Sequence, residues 1–236
     1  MTHEIVMDGP RKNALGTRML QFVLEQLRAA GGAPVLLTGT GDAFSAGLDL
    51  GEVAGFDVDG ARSFLGLLEE CVSQLYLYPG PTVAAINGHA IAGGCVFALC
   101  CDHRVSVARP TVKVGLNEVP LGLRFPPRTL AMVRARVPRR HLERVVLGGG
   151  LVAPVEAERL GLVDEIQEDP LACARVRLDA LAASPPAAYA RTKRDLRGAA
   201  PRDLASDEAT DTWMRESLGT WTSSELKLKI AAALRR

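Results

Sequence analysis

Residues 82–101, TVAAINGHAIAGGCVFALCC, carry no formal charge, and how this run is read decides the fold. Its length is about what a helix needs to cross a bilayer. Its contents argue otherwise. Asn87-Gly88 is a turn signal, His89 is polar, Gly93-Gly94 weakens a helix interior, and Pro79 and Pro81 stand just upstream. The run is predicted as a buried strand over 82–86, a turn, and a buried helix over 93–101 whose first turn is two glycines.

Upstream the same alternation of strand and helix continues. Leu15, Met19, Phe22, Val23 and Leu27 recur at spacings of three and four from Asn13 onward, predicting a helix that Gly31-Gly32 ends. Residues 34–38 read as a buried strand. A turn at 39–41 leads into 43–50, which is too rich in small residues for regular structure and is expected to be a loop built for close approach. A second amphipathic helix is predicted over 60–77, with Phe64, Leu67, Leu68, Cys71, Val72 and Leu75 on its apolar face and Pro79 as its stop.

Downstream, 105–107 and 111–114 read as strands, the last reaching Gly115–Glu118. Pro120 disfavours helix at Val119, so Glu118 ends a strand or opens a loop. Beyond Pro126-Pro127 helices are predicted over 128–136, 141–147 and 154–160. A short strand at 162–166 follows, then helices after Pro170, Pro186, Pro201 and Ser223. The alternation defines an α/β class. Residues 1–170 form the expected core. Residues 171–236 form a helical region with helices too short for a core of their own, which must pack on the body or on another subunit.

Composition narrows the function classes. In 236 residues, 47% are hydrophobic and 28 basic residues balance 27 acidic ones for a net charge of +1, which argues against disorder and against charge-driven nucleic-acid binding. Aromatics at 5% leave few stacking platforms for single strands. The five cysteines are odd in number, with no Cys-x-x-Cys pair and no histidine at metal-ligand spacing, so no metal is expected and a reducing compartment fits. The N-terminus shows no basic, then apolar, leader. A cytoplasmic protein with no membrane segment is the expectation.

Two glycine-flanked backbone corners stand out, Ser45-Ala46-Gly47-Leu48-Asp49 and Ala92-Gly93-Gly94. Each exposes N–H groups, and two such donors on one carbonyl oxygen stabilise the anion that develops there; the helix start adds its positive dipole end. Neither corner ends in Gly-Lys-Ser/Thr or matches G-x-G-x-x-G, and Ser45 lacks the first glycine of a nucleophile elbow. His89 reads either as a base or as a hydrogen-bonded structural residue. Cys95, Cys100 and Cys101 read as small buried hydrophobes.

Residues 35–49 (VLLTGTGDAFSAGLD), 83–104 (VAAINGHAIAGGCVFALCCDHR) and 115–123 (GLNEVPLGL) together resemble the signature segments of the enoyl-CoA hydratase/isomerase, or crotonase, superfamily. Lys12-Asn13-Ala14-Leu15 resembles the segment before that family's first helix, and 151–163 its later helix–strand step. The resemblance implies a spiral of ββα repeats, C-terminal helices that build a homotrimer or homohexamer, and acyl-CoA thioesters as substrates, with coenzyme A entering as part of the substrate and no other cofactor. It implies that Leu48 and Gly93 supply the oxyanion-hole amides. Ala46, Asp49 and Gly94 fall in the same segments as substrate contacts. Arg11 and Lys12 are implied for CoA phosphates, and Lys227 or Lys229 for a neighbouring subunit.

The carboxylates depart from a hydratase. Hydratases of the family hold water between two glutamates, and here one of those positions is Val96 while the other is Glu118. An apolar side chain neither orients nor deprotonates water, which removes a group worth about 100- to 10,000-fold. A single base can still shift a double bond, and Gly115-Leu116-Asn117-Glu118 resembles the wording of Δ3,Δ2-enoyl-CoA isomerases. A glutamate in an apolar pocket is expected to have a raised pKa. Three readings stand: an isomerase, a hydratase with a second acid from elsewhere such as Glu69 or Glu70, and a non-catalytic acyl-CoA binder.

Overall fold

The protein is described from a computed structural model, over residues 2–233. The outermost positions of the two expected regions, 1 and 234–236, lie outside the described residues.

Strand β1 (His3–Met7) leads into α1 (Pro10–Asn13), a single turn, and α2 (Thr17–Ala30). Three passes of one pattern follow. The first is β2 (Val35–Gly39), β3 (Ala43–Ser45), α3 (Leu50–Val53) and α4 (Val58–Tyr76). The second is β4 (Thr82–Ile86), β5 (His89–Ile91) and α5 (Gly93–Cys100), and the third is β6 (His103–Val107), β7 (Val114–Gly115) and α6 (Pro127–Arg136). Helices α7 (Arg139–Val146) and α8 (Pro154–Leu160) and strand β8 (Glu165–Gln167) complete the core. Then come α9 (Pro170–Ala182), α10 (Pro186–Arg197), α11 (Pro201–Leu204), α12 (Asp207–Trp221) and α13 (Ser224–Ala233).

Each pass lays its first strand in one sheet and its second in another. The larger sheet has the order β1-β2-β4-β6-β8, the smaller β3-β5-β7, and every pairing is parallel. This is the expected spiral of ββα turns in an α/β fold. Parallel strands need both faces covered, which is why VLLTG and TVAAI are apolar throughout rather than alternating. Val35, Leu37, Ala84 and Ile86 point into the main core with Phe44, Phe97 and Leu20. Leu36, Val83, Ala85 and Val105 face the other way and are covered by Ala174 and Leu178 of α9.

Several elements differ from the sequence reading. Helix α2 begins at Thr17 rather than Asn13, because Arg11, Lys12 and Asn13 take left-handed φ values of 52°, 61° and 57°. Asn13 holds that turn: its Oδ1 accepts from Gly9 N (3.1 Å) and its Nδ2 donates to Thr40 O and Ala43 O (2.9 Å each). The stretch 43–50 is not all loop, since Ala43–Ser45 forms β3 against β5. Only Val114–Gly115 of the expected 111–114 strand pairs, and the strand expected at 162–166 is Glu165–Gln167. The edge strand β1 carried too short a pattern to be foreseen.

A buried ionic cluster fastens the C-terminal helices to the sheet. Asp102, at the head of β6, accepts from Thr82 N (2.7 Å), Tyr189 Oη (2.8 Å) and Lys193 Nζ (2.8 Å), and pairs with Arg197 (2.7 Å). Burial pulls the Lys193 ammonium down to about 8. Burial pushes the Asp102 carboxyl up, but Lys193 and Arg197 outweigh it and hold the group below its usual range. Helix α12 packs on α4 and α6, bringing Trp213, Leu218 and Trp221 into the main core.

Candidate active site

The left-handed turn at Arg11–Asn13 shapes the first corner. Ala46 N donates to Lys12 O (3.0 Å) and Ser45 Oγ to Asn13 O (2.8 Å), so the turn clamps the end of β3. Leu15 then bridges Leu48 in parallel: Leu15 N donates to Gly47 O (2.7 Å) and Asp49 N to Leu15 O (3.2 Å). Amides alternate in direction along an extended segment, so the Leu48 N–H points away from Leu15. It donates to no acceptor among the described residues.

The second corner is the start of α5. Ala92 N donates to Gly115 O (2.8 Å), tying the corner to β7, while the Gly93 N–H is one of the uncommitted donors of the first helical turn. Ala92 sits at φ 48°, ψ −119°, a conformation that favours glycine and stores strain beside the corner. The two corners are pressed together. A Cβ on Gly47 (φ +88°) would lie 2.7 Å from Ile91 O and 3.4 Å from Gly93 N, and one on Gly94 would lie 2.3 Å from Ser45 O. Only glycine fits at both places.

Leu48, Gly93 and Glu118 line one cavity, walled further by Val96, Leu68, Val72, Phe125 and Trp221. Its free volume is about 30 Å³, small beside the roughly 300–1,000 Å³ of open ligand sites. Glu118 follows β7 on a loop held by its own turns: Leu121 N and Leu123 N both donate to Glu118 O (3.1 and 2.9 Å). Its Oε2 is buried and has no hydrogen-bond partner among the described residues. Burial pushes the carboxyl up to about 7, partly opposed by a hydrogen bond to its own backbone. The neighbouring Cys95 thiol is pushed up to about 12 by burial and then by Glu118, so it stays neutral.

The remaining candidates fall into distinct places. Asp49 accepts from Glu52 N (3.0 Å) to cap α3, and also pairs with Arg11 (2.8 Å); Lys12 pairs with Asp42 (2.8 Å). Glu69 does not line the cavity. It is buried and accepts from Arg128 N, Thr129 N (3.2 Å each) and Thr129 Oγ1 (2.5 Å), supplying the cap that Pro126 cannot give to α6. Glu70 is exposed and pairs with Arg28 (3.0 Å). Lys229 pairs with Glu225 (2.9 Å) and lies over Gly122 of the Glu118 loop, while Lys227 is exposed. His89 Nδ1 accepts from Lys113 N (3.1 Å), a structural role. Trp221 and Thr129 of the cavity wall carried no local sequence signal, because only the packing of α12 and α6 on α4 brings them there.

The sequence model of the enoyl-CoA hydratase/isomerase family matches residues 2–227. The chain belongs to that family. It is 40% identical over 123 residues to enoyl-CoA delta isomerase 1, mitochondrial, of Mus musculus, covering 52% of this chain and 43% of the mouse protein. It is 38% identical over 167 residues to a putative enoyl-CoA hydratase of Thermus thermophilus, covering 67% and 64%. The matched regions thus span less than two thirds of these relatives. The crystal structure of human mitochondrial delta3-delta2-enoyl-CoA isomerase superposes with a TM-score of 0.90 at 28% identity, covering 99% of this chain and 93% of the human one. An enoyl-CoA hydratase from Bacillus halodurans gives 0.84 at 27%, covering 98% and 96%. Among the described residues no helix is long and apolar enough to cross a membrane.

Proposed function

We propose that the protein is an enoyl-CoA isomerase that moves a double bond of an acyl-CoA thioester from C3–C4 to C2–C3. What supports this is a single carboxyl, Glu118, on a cavity shared with Leu48, Gly93 and the apolar Val96. The thioester oxygen sits between the Leu48 and Gly93 amides. Glu118 as carboxylate removes a proton from C2, and the electron pair spreads into the carbonyl as a dienolate whose charge the two amides hold. The same carboxyl returns the proton at C4, the C2–C3 double bond forms and the thioester carbonyl is restored. A pKa of about 7 keeps both forms of Glu118 populated at neutral pH. No metal or further cofactor is needed for this cycle.

Around the reacting atoms, Ala46, Asp49 and Gly94 border the thioester. Arg11 and Lys12 offer cations to the CoA phosphates by exchanging their carboxylate partners. Assembly as a homotrimer or homohexamer and residence in the cytoplasm belong to the same reading, although the mouse relative is named as mitochondrial.

The test is spectroscopic. A 3-enoyl-CoA should gain the absorbance of the conjugated thioester, and crotonyl-CoA should keep its own. Rapid loss of the crotonyl-CoA absorbance would identify a hydratase instead. CoA-ester binding with no turnover of either substrate would identify a non-catalytic binder.

A further inference from the structure

Beyond the loop that carries Glu118 lies an open groove of about 650 Å³, between α6, α7 and the first turns of α12. That size falls within the range of ligand sites. The loop is the partition between groove and cavity. Glu118 lines the cavity, the next residue Val119 lines the groove, and Arg124 and Phe125 line both. The groove floor is apolar, with Leu130, Val146 and Trp213, and Leu147 and Val119 leave large apolar side chains 64% and 38% exposed there. Arg124 spans its mouth to Glu216 on α12 (3.0 Å).

A thioester whose C2 and C4 meet Glu118 has to place the rest of its chain elsewhere, because the closed cavity, at about 30 Å³, has no room for a long chain. Two aromatic side chains stand in the way. Trp221 lines the cavity but not the groove, so displacing it does not join the two. Phe125 has the groove on its far side, so turning that one side chain joins the two spaces.

Resting on the isomerase reading, we infer that this groove binds the distal part of the substrate's acyl chain, entered past Phe125, and that acyl thioesters long enough to reach it are better substrates than short ones. Each methylene buried in an apolar site strengthens binding about fourfold.

The experiment is kcat/KM for 3-enoyl-CoA esters from C6 to C12, in the wild type and three variants. In the wild type, kcat/KM should rise by up to about fifteenfold per added carbon pair until the groove is filled. Ala209→Trp, on the exposed face of α12 where it fills the groove, should lower kcat/KM for C10 and C12 about tenfold or more and leave C6 unchanged. Phe125→Ala should raise kcat/KM for C10 and C12 relative to C6, by removing the side chain that has to turn aside. A flat or falling wild-type profile overturns the inference. So does Trp221→Ala shifting the profile while Ala209→Trp leaves it alone, which would place the chain between α4 and α12. An altered oligomeric state of Ala209→Trp with an unaltered length profile would also overturn it, assigning the groove to a second copy. No turnover at any length would instead refute the isomerase reading itself. In that case acyl-CoA binding across the same lengths, measured by thermal shift on the same variants, still decides the groove: a loss confined to C10 and C12 in Ala209→Trp supports it, and none refutes it.

Discussion

Gly47 and Gly93 stand so close that a Cβ on Gly93 would come within 3.8 Å of the Gly47 Cα. Two chain corners 46 positions apart therefore touch backbone to backbone, and side-chain bulk at either acts on the spacing of the two amides. Gly47→Ala places a methyl 2.7 Å from Ile91 O at a φ of +88°. It should lower kcat by about 100- to 1000-fold, the cost of losing one oxyanion donor. Steady-state kinetics with a retained fold by circular dichroism would check it, and an unaltered kcat would separate these corners from the chemistry.

Glu118 trades stability for reactivity. Its folded pKa of about 7 lies above the ordinary 4.5, so between those values the folded chain holds a proton that the unfolded chain has released. Stability therefore falls as pH rises through that window, by an amount on the order of 3 kcal/mol. Glu118→Gln should abolish turnover yet unfold at higher urea than the wild type at pH 8, with the difference vanishing near pH 4. Activity of the wild type should rise with pH through about 7 as the base ionises. Equal urea midpoints of variant and wild type at pH 8 would show that the carboxylate is not held in a desolvated site.

Among the described residues, Asp102 is the one acid paired with Lys193 and Arg197 in the buried cluster. Asp102→Ala strands two cations and should cost about 3–5 kcal/mol, which for a chain of this size lowers Tm by roughly 10 °C. Calorimetry on the variant gives the number directly. A drop of only a degree or two would mean that the cluster does not hold α10 to the sheet.

Ala92 pays for its φ of 48° with strain that glycine would not feel. Ala92→Gly should gain about 1 kcal/mol of stability, while Ala92→Val should lose more than that, because branching at Cβ tolerates positive φ poorly. Denaturant midpoints of the two variants test both signs.

The sequence alone carries the strands and glycine corners because their causes are local. Thr82–Ile86 is apolar throughout because both faces are covered, and Gly94 must lack a side chain because Ser45 lies against it. The left-handed turn at Arg11–Asn13 escapes such reading. None of its residues is glycine, and what sustains it is Asn13 reaching Thr40 and Ala43, some thirty positions away. Glu69 is similar: nothing in Glu69-Glu70 tells which carboxyl is buried until α6 presents bare amides to one of them. The cavity's outer wall depends on α12, whose place is set by tertiary packing rather than by periodicity.

Every ladder in both sheets runs parallel, and even the shortest span, Val83 to His103, skips 20 positions. No hairpin is available to nucleate the sheets, so loop closure must precede each reward. The nascent polypeptide consequently exposes aliphatic segments for longer than a meander of the same size would, and refolding from denaturant should be slow and sensitive to protein concentration.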